Sequence, residues 1–317
     1  MITLIQLEYV IAVDTYRHFA KAAQKCFVTQ PTLSMQIKKL EEQLGIVIFD
    51  RSKQPVMPTD IGKKIIEQSR IILRESEKIP QIINSFENFV SGTLTVGIIP
   101  TVGPYLIPEI IGSFIKKFPG VSLYVKELMS DQLLVELKKD LIDVGIVASP
   151  LNDEDLNFKP LFYEEIMIYA NPKHYLSGKK SVNIKELETS GLWVLSEGYS
   201  FRQQAIQLCT YFRQNDFNSN EKKVFFRYES GSLEALKRMV DKEGGYTLLP
   251  ELAINLIQTE KQKQVIRFND LTPLREIKMA SNRHSAKSRL SELLSKHIKQ
   301  CLPPHLLKKE RGKLIKI

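Results

Sequence analysis

The 317-residue sequence predicts an α/β protein preceded by a separate, mainly helical N-terminal part. From residue 92 to residue 301 strands alternate with helices, which favours a mainly parallel sheet covered by helices. Residues 1–58 instead contain short helical patterns, and residues 59–91 form one helical pattern with no strong breaker before Pro80. A hydrophobic content of 43% supports more than one buried core. We therefore predict four segments, at 1–58, 59–91, 92–301 and 302–317.

Two short helices and a tight turn are predicted within the first segment. The small residues Ala20, Ala22 and Ala23 let a second helix cross the first closely. Thr29 is expected to cap that second helix, because its hydroxyl can accept an orphan backbone amide, and Pro31 suits the first turn. Helical spacing predicts the buried stripe and the terminating glycine at Leu33, Ile37, Leu40, Leu44 and Gly45.

The opposite face of this second helix is polar and basic. Small polar groups near the start of such a helix can approach base edges in the DNA major groove, and lysines reach phosphates. A basic tip, Arg51–Pro55, lies between short β pieces at Val47–Phe49 and Val56, which predicts a wing against the DNA backbone or minor groove. The alternative is an ordinary helical pair on a solvated surface, but the cap, proline, stripe and tip occur in the order that a DNA reader requires. The outward face comprises Pro31, Ser34, Met35, Lys38 and Lys39.

These features make the segment from Leu4 to Gly62 resemble the winged helix-turn-helix of LysR-type transcriptional regulators. The residues that carry the resemblance are Phe19–Ala23, Val28–Ser34, Phe49–Arg51 and Thr59–Gly62. It implies that the partners are double-stranded DNA with two-fold symmetry and RNA polymerase, and that the chain forms a dimer or a tetramer. The DNA contacts that it implies are Thr29, Gln30, Pro31, Thr32, Ser34 and Lys38 on the second helix and Arg51 and Lys53 in the wing.

The helical segment 59–91 carries a seam of isoleucines with charged residues between them. A helix with such a seam is poorly stabilised alone, so we expect it to pack on a partner copy as a dimerising linker. The alternative is a monomeric surface helix, and two-fold DNA sites favour the dimer. The seam consists of Ile61, Ile65, Ile72, Ile79 and Ile83.

Net charge alone is weak support for DNA binding. The chain carries a formal charge of +9, which favours a polyanionic partner. Residues 1–60, however, hold seven Lys and Arg against six Asp and Glu, whereas the tail from Leu302 holds five against one. We expect the tail to be a solvated basic extension that could add non-specific affinity.

Other classes of protein are disfavoured. Cys26, Cys209 and Cys301 are widely spaced and form neither a disulfide framework nor a metal-ligand pattern, so no cofactor is expected. Ser200 lacks a Gly-x-Ser-x-Gly elbow and the five histidines suggest no triad, which argues against an enzyme. The first helix begins directly after Met1 and no apolar run approaches ~20 residues, so we expect a cytoplasmic protein without a membrane span.

Residues 92–301 are predicted to form two α/β lobes. The chain crosses between them near residues 163–170 and again near residue 270. A ligand in such an arrangement lies in the cleft, at strand C-termini and helix N-termini. Strands are expected at Thr93–Pro100, Ser122–Lys126, Leu141–Val147, Ile166–Ala170, Trp193–Leu195, Val224–Arg227 and Gly244–Pro250, and helices at Pro104–Phe118, Asp131–Lys138, Phe201–Arg213 and Leu233–Asp241.

This half resembles the periplasmic-binding-protein-like effector domain of the same regulators, in particular their peroxide-sensing, OxyR-like branch. The residues that carry the resemblance are Gly97–Pro108, Leu195–Gly198, Phe201–Ala205, Cys209, Ser232–Leu236 and Thr247–Pro250. It implies control of oxidative-stress genes in response to hydrogen peroxide.

The sensing positions depart from that branch. Its members detect peroxide with a cysteine that follows a histidine, and a second cysteine nine residues later closes a disulfide. Here Tyr199 and Ser200 stand at the first two positions, and Cys209 stands at the last. A serine supplies no thiolate nucleophile, so the redox switch cannot run through this pair. Three explanations stay open: a cysteine-to-serine variant that traps the reduced state, a different small-molecule effector, or a peroxide response through Cys209 alone, although a thiol in such a helical run is usually buried and inert.

The cleft itself is expected to be polar. Thr101 and Ser130 match positions where the branch places hydroxyls near peroxide, and helix capping is an alternative, compatible role for such hydroxyls. The branch also uses a basic residue in a late strand, which aligns here with Ala280–Arg283 in a register that the sequence leaves open. The predicted effector residues are Thr101, Ser130, Tyr199, Ser200 and Ser232, with Cys209 at the resolving position.

Overall fold

The structure is a computed structural model that describes residues 1–86, 90–148, 151, 153–188, 191–210, 230–283, 285 and 287–315. The side chains of residues 80–86 and 210 lie outside that description. The chain folds as two compact units: an N-terminal unit, mainly Met1–Val90, and a C-terminal unit, Ser91–Arg283 with Ser288–Ile317. Among the described ranges, no helix is long and apolar enough to cross a membrane.

The N-terminal unit begins with three helices: α1 (Leu4–Tyr16), α2 (Phe19–Lys25) and α3 (Gln30–Leu44). The predicted ends of α3 are confirmed. The Thr29 hydroxyl accepts from the backbone amide of Thr32 (3.3 Å), and Gly45 ends the helix with a φ of 66°. The predicted stripe packs on α1 and α2 in one core, because Leu33, Ile37 and Leu40 are fully buried there.

A short hairpin and a long helix complete this unit: β1 (Phe49–Asp50), β2 (Met57–Pro58) and α4 (Asp60–Phe86). β1 and β2 pair antiparallel, so the structure contains the predicted wing, with strands that exclude Val47 and Val56. The isoleucine seam of α4 is divided. Ile65 packs against the core of the unit, whereas Ile61, Ile72 and Ile79 are exposed on this single chain. The side chain of Ile83 lies outside the described residues.

The turn between α2 and α3 places Phe27 in an unfavourable backbone conformation. Its φ is 56°, and its side chain is 95% exposed, so no packing compensates for the left-handed backbone. We expect Phe27→Asn to raise the free energy of unfolding of the N-terminal unit by about 1 kcal/mol, because asparagine tolerates this conformation. Urea unfolding of the full chain measures the change. Phe27→Leu is the matched control, and an equal gain in that variant would contradict the backbone explanation.

The first lobe of the C-terminal unit alternates strands and helices as predicted. Its elements are β3 (Ser91–Ile98), α5 (Gly103–Lys117), β4 (Gly120–Glu127), α6 (Ser130–Lys138) and β5 (Val144–Ala148). β3 is central and pairs in parallel with both β4 and β5. The loops after β3 and β4 therefore lie side by side, which brings Thr101 and Ser130 to one edge of the sheet.

A single long strand, β6 (Leu156–Ala170), then passes from the first lobe into the second. The elements that follow are β7 (Ser181–Val182), β8 (Leu192–Trp193), α7 (Ser200–Thr210), α8 (Leu233–Glu243), β9 (Tyr246–Pro250), α9 (Glu251–Ile254) and β10 (Val265–Phe268). The end of the predicted helix at residues 211–213 and the predicted strand Val224–Arg227 lie outside the described residues.

The chain returns through β11 (Pro273–Asn282), followed by α10 (Ser288–Cys301) and β12 (Lys313–Leu314). Up to Glu165, β6 pairs with β11, and from Ile166 it pairs with β9. The two predicted crossings are therefore confirmed, one inside β6 and one between β10 and β11. The sheet is mixed rather than mainly parallel, because β6 and β11 run antiparallel to each other and β11 runs antiparallel to β5.

The C-terminal tail is folded as far as Ile315, and the expectation of a solvated extension is wrong over these residues. Leu306 is fully buried, and β12 adds to the sheet in parallel with the start of β11. Arg311 forms an ion pair with Glu251 and donates from Nη2 to the carbonyl oxygen of Tyr163 (3.0 Å). Apolar side chains between the lysines supply this packing, which a count of charges alone does not reveal.

Candidate DNA-binding surface and inter-lobe cleft

The residues predicted to contact DNA lie close together on the N-terminal unit. Gln30, Arg51 and Lys53 line one groove of about 360 Å³ between α2, the start of α3 and the wing. Ser34 contacts Arg51, and Lys38 lies one helical turn beyond Ser34 on the exposed side of α3. Thr29, Gln30 and Pro31 are exposed at the start of α3, and Thr32 is half-buried.

Arg51 joins the wing to α3. Its Nη2 lies 3.0 Å from Oε2 of Glu41, its Nη1 donates to the Ser34 hydroxyl (3.0 Å), and its guanidinium stacks 4.9 Å above the Phe19 ring. Glu41 is buried and also accepts from the backbone amide of Ile48 (2.8 Å). These contacts hold the guanidinium at one place, where its outer edge remains exposed and can meet a phosphate.

Four of the other predicted contacts also have local partners. The Thr29 hydroxyl lies 2.8 Å from that of Thr32, so both hydroxyls belong to the cap of α3. Lys53 lies 3.6 Å from Asp50. Lys38 is only loosely paired, since its Nζ is 3.8 Å from Glu42 and its side chain is 70% exposed. Because an exposed ion pair of this length contributes little, Lys38 can turn to an external anion.

Sequence reasoning missed three basic residues of the same groove. Arg17, His18 and Lys21 line it at the start of α2, opposite Gln30 and Lys53. The signal was present, since these residues are consecutive or nearly so just before the small-residue helix. Lys21 and Arg17 add positive charge to the groove, with Arg17 also paired to Asp14 (2.9 Å), and positive charge there suits a phosphate backbone.

In the C-terminal unit, Arg275 on β11 lies buried where the two lobes meet. Its side chain is 0% exposed. Nε donates to Oε1 of Glu164 (2.7 Å), Nη1 donates to the Thr101 hydroxyl (3.1 Å) and Nη2 donates to the Thr101 carbonyl (2.9 Å). The guanidinium also lies 4.9 Å from the centre of the ring of Phe201, which is the residue that follows Ser200. Arg275 therefore connects the first lobe, the crossing strand and the start of α7.

Glu164 is as fully buried as its partner. Burial raises the pKa of its carboxyl, and the Arg275 guanidinium lowers it, with burial the larger effect. Oε2 of Glu164 also accepts from the backbone amide of Leu252 (3.2 Å). A buried ion pair of this kind costs desolvation on both sides, so it specifies the geometry of the crossing more than it stabilises the fold.

The loop before α7 forms the wall contributed by the second lobe. A Cβ at Gly198, whose φ is 89°, would lie 3.1 Å from Cε of Met129, the residue before Ser130. Tyr199 is half-buried, and its ring occupies the space above Gly231, where a Cβ would meet the hydroxyl at 2.3 Å. A side chain at position 231 would therefore displace the Tyr199 ring.

The structure distributes the five predicted effector residues over the two lobes of the C-terminal unit. Thr101 and Ser130 are buried on the first lobe, and Tyr199 and Ser200 are half-buried on the second. Ser232 is exposed and caps α8, since its hydroxyl accepts from the amide of Ala235 (3.4 Å). A further link across the cleft was not predicted: the Tyr105 hydroxyl donates to Glu234 on α8 (3.0 Å).

The late-strand alignment to Ala280–Arg283 is wrong. The basic residue at the site is Arg275, and Arg283 lies exposed beyond the end of β11. The expected alignment was displaced along β11. Arg275 stands near the start of this strand, and it reaches the site because β11 pairs with β6. A signal existed in Leu274-Arg275-Glu276-Ile277, where charged residues interrupt an apolar strand.

Cys209 is not placed to act with Ser200. Both residues lie on α7, and nine helical residues separate them by about 14 Å along the axis. Cys209 is 3% exposed, and its Sγ lies 3.7 Å from the Tyr246 hydroxyl. Burial, and then the neighbouring thiol, raise the pKa of that Tyr246 hydroxyl. The described residues also contain no cluster of His, Cys, Asp and Glu suited to a metal ion.

Two family models match the chain. The model described as "Bacterial regulatory helix-turn-helix protein, lysR family" matches residues 4–63. The model described as "LysR substrate binding domain" matches residues 87–302. The two matches together span most of the chain and correspond to the two compact units.

Curated relatives and solved structures agree with these models. The "Hydrogen peroxide-inducible genes activator" of Dickeya chrysanthemi is 36% identical over 249 residues, which cover 78% of this chain and 79% of the relative. The "DNA-binding transcriptional dual regulator OxyR" of Escherichia coli K12 has the same identity and coverage.

Among solved structures, a full-length OxyR variant from Pseudomonas aeruginosa has a TM-score of 0.77 and 31% identity, covering 95% of this chain and 99% of that one. A cysteine-to-serine variant of Corynebacterium glutamicum OxyR with hydrogen peroxide bound has a TM-score of 0.61 and 27% identity, and the match covers 94% of this chain and 92% of that one.

Proposed function

The chain is a LysR-type transcriptional regulator, and from this premise we propose that it regulates genes in response to hydrogen peroxide bound between the lobes without a disulfide switch. The observation that carries the proposal is the buried arrangement of Arg275, Thr101 and Phe201 beside Ser200. Donors and hydroxyls converge there, as a small polar effector requires. One of the similar structures, a cysteine-to-serine variant of Corynebacterium glutamicum OxyR, has hydrogen peroxide bound, which supports peroxide binding by a protein of this fold that lacks that cysteine.

The output of the protein is DNA binding through α3 and the wing. We assign the base-reading role to the start of α3, where Gln30 is exposed, and the phosphate-binding role to Lys38, Arg51 and Lys53. Arg51 is positioned by Glu41 and Ser34, as described above. A regulator that binds chromosomal DNA acts where the chromosome is, so we place this protein in the cytoplasm. Its binding to a promoter takes effect through RNA polymerase, which we propose as its protein partner.

Lys38 provides a direct test of the phosphate role. We expect Lys38→Ala to weaken binding on all DNA sequences and to reduce the salt slope, d log K/d log [salt], by about 1, since one phosphate contact is lost. Titration of a labelled promoter fragment at several salt concentrations measures both quantities. Lys78→Ala on α4 is the matched control, because it lies about 27 Å along the helix from Asp60. An unchanged slope in Lys38→Ala would show that Lys38 does not contact a phosphate.

The regulator acts as a homo-oligomer. The exposed seam of α4, with Ile61, Ile72 and Ile79, offers an apolar surface on the N-terminal unit. Ile115 and Tyr124 offer a second one on the first lobe of the C-terminal unit. Two separate apolar surfaces suit an assembly of two or four copies, which matches DNA sites with two-fold symmetry.

The effector is tested by a DNase footprint on the DNA upstream of the protein's own gene. We expect hydrogen peroxide to shift or shorten the footprint, and we expect catalase to restore it without a reductant, because binding at Ser200 forms no covalent bond. Cys209→Ser should respond like the unaltered chain, since Cys209 is buried away from the cleft. Ser200→Ala should respond only at higher peroxide concentrations.

A second candidate is a different small-molecule effector in the same cleft. Tyr199 favours it, because a phenol ring over Gly231 gives the cleft a shape and polarity that a histidine there would not. A footprint that forms but ignores peroxide would support this candidate and contradict the first. The variant Ser200→Cys then distinguishes them further, since a restored peroxide response would show that only the thiol is missing.

A further inference from the structure

A cavity of about 430 Å³ lies between α7 and the folded C-terminal tail. Its walls come from α7, from the turn before β11 and from the tail on either side of Gly312. None of its described lining residues belongs to the DNA-binding groove or contacts Arg275. The cavity is therefore a separate feature of the C-terminal unit, which neither the DNA surface nor the peroxide site uses.

The interior of the cavity is aliphatic. Ile184 and Leu208 are each 2% exposed and form its deepest part, whereas Leu271, Leu314 and Ile315 are half-buried along its sides. Binding sites for small molecules have volumes of roughly 300–1,000 Å³, and most of their lining is apolar. No aromatic ring lines the cavity within the described part of the chain, so the lining favours an alkyl chain over a flat ring.

The charges at the mouth of the cavity are positive. Lys309 and Lys313 line it and are exposed, and no acidic residue is present in the described lining. Asp270 and Glu310 adjoin lining residues in the sequence but do not line the cavity. Lys309 forms no ion pair within the described ranges, so its ammonium group is available to an anion.

We propose that this cavity binds a medium-chain aliphatic carboxylate. The alkyl chain lies against Ile184 and Leu208, where it is removed from water, and the carboxylate lies at the mouth beside Lys309. The apolar interior supplies the affinity, and the lysine selects an anion over a neutral molecule of the same shape. The inference does not depend on a response to peroxide, because the cavity and the inter-lobe site have separate residues.

The first test is a chain-length series, measured by isothermal titration calorimetry on the full-length protein. Butyrate, hexanoate and octanoate are titrated below the concentrations at which they form micelles. We expect the affinity to rise about fourfold for each added methylene, because each one leaves water for the aliphatic interior. The heat-capacity change should become more negative along the series for the same reason. The neutral 1-octanol should bind about threefold more weakly than octanoate.

The second test places the ligand in this cavity. Gln207→Trp introduces an indole from a half-buried position of α7, so we expect it to lower the affinity for octanoate at least tenfold by filling the space. Lys309→Gln should lower that affinity about threefold and leave the affinity for 1-octanol unchanged. Lys308→Gln is the matched control, since Lys308 is an exposed neighbouring lysine outside the described lining.

Two results would overturn the proposal. One is an affinity of the unaltered chain that does not increase from butyrate to octanoate, a comparison that needs no variant. The other is unchanged octanoate binding in folded Gln207→Trp and Lys309→Gln proteins, which would place the ligand elsewhere on the chain. Circular dichroism verifies the fold of each variant. Neither result bears on the peroxide proposal, because the footprint is measured without a carboxylate.

Discussion

Arg275→Met should destabilise the C-terminal unit by about 3–5 kcal/mol, since it leaves a carboxylate buried without its partner. Glu164 is fully buried, and within the described part of the chain Arg275 is the cation that hydrogen-bonds to its carboxylate. Thr101 would lose two donors at the same time, so the loop after β3 should also loosen. Thermal and urea unfolding of the full-length protein measure the loss.

The matched control is Arg267→Met on β10. Arg267 is 65% exposed, and its Nε lies 3.8 Å from Glu165, so its removal should change stability by less than about 1 kcal/mol. The double variant Glu164→Gln with Arg275→Met should recover part of the loss, because no charge is then left buried. Equal effects of the two arginine substitutions would contradict the role assigned to the buried pair.

The same pair predicts a dependence on pH. Burial raises the pKa of Glu164, and Arg275→Met removes the group that opposes this rise. Between the unfolded and the folded pKa, the native variant then binds more protons than the unfolded chain, so its stability falls as the pH rises. The destabilisation by Arg275→Met should accordingly be smaller at pH 5 than at pH 8. A loss that is equal at both values, measured by urea unfolding, would show that Glu164 does not take up a proton.

Gly62→Ala should destabilise the N-terminal unit by about 3 kcal/mol and abolish tight DNA binding, because the added methyl group has no room. Its Cβ would lie 2.1 Å from the carbonyl oxygen of Ile48, which is backbone next to β1 and cannot rotate away. Gly62 lies in the first turn of α4, where alanine would otherwise gain about 1 kcal/mol from helix propensity. The steric cost is larger than this gain.

Gly112→Ala separates the two effects. Gly112 lies inside α5, and a Cβ there meets nothing within 4 Å. This variant should therefore stabilise the C-terminal unit by about 0.5–1 kcal/mol through helix propensity alone. A comparable stabilisation in Gly62→Ala would contradict the contact with Ile48.

The parts of the fold that the sequence predicted are those with local signals. Thr29, Pro31 and Gly45 act on backbone groups within a few residues of themselves, so the ends of α3 could be read directly. The crossing of β6 was found because the apolar run Ile166–Ala170 is continuous. The first part of β6 was missed, since its alternation of buried and exposed residues lasts only from Leu156 to Lys159 and is broken at Pro160.

The parts that were missed depend on pairing between distant residues. Arg275 is 111 residues from Glu164 and 174 residues from Thr101 in the chain, and no periodicity links them. Arg311 likewise meets Glu251 only after the tail has folded back to the crossing. Each of these contacts follows from strand register, which is fixed by the whole sheet rather than by nearby residues.

The place of the tail in the sheet has a consequence for biosynthesis. β12 and Arg311 are made after β11 and the crossing strand with which they pair, so the C-terminal unit completes its fold only after residues 311–314 have been synthesised. The N-terminal unit, residues 1–90, needs no later segment for its own core. At elongation rates of about 5–20 residues per second, residues 91–314 take roughly 10–45 s, so each nascent chain carries a folded helix-turn-helix for that time before its C-terminal unit is complete.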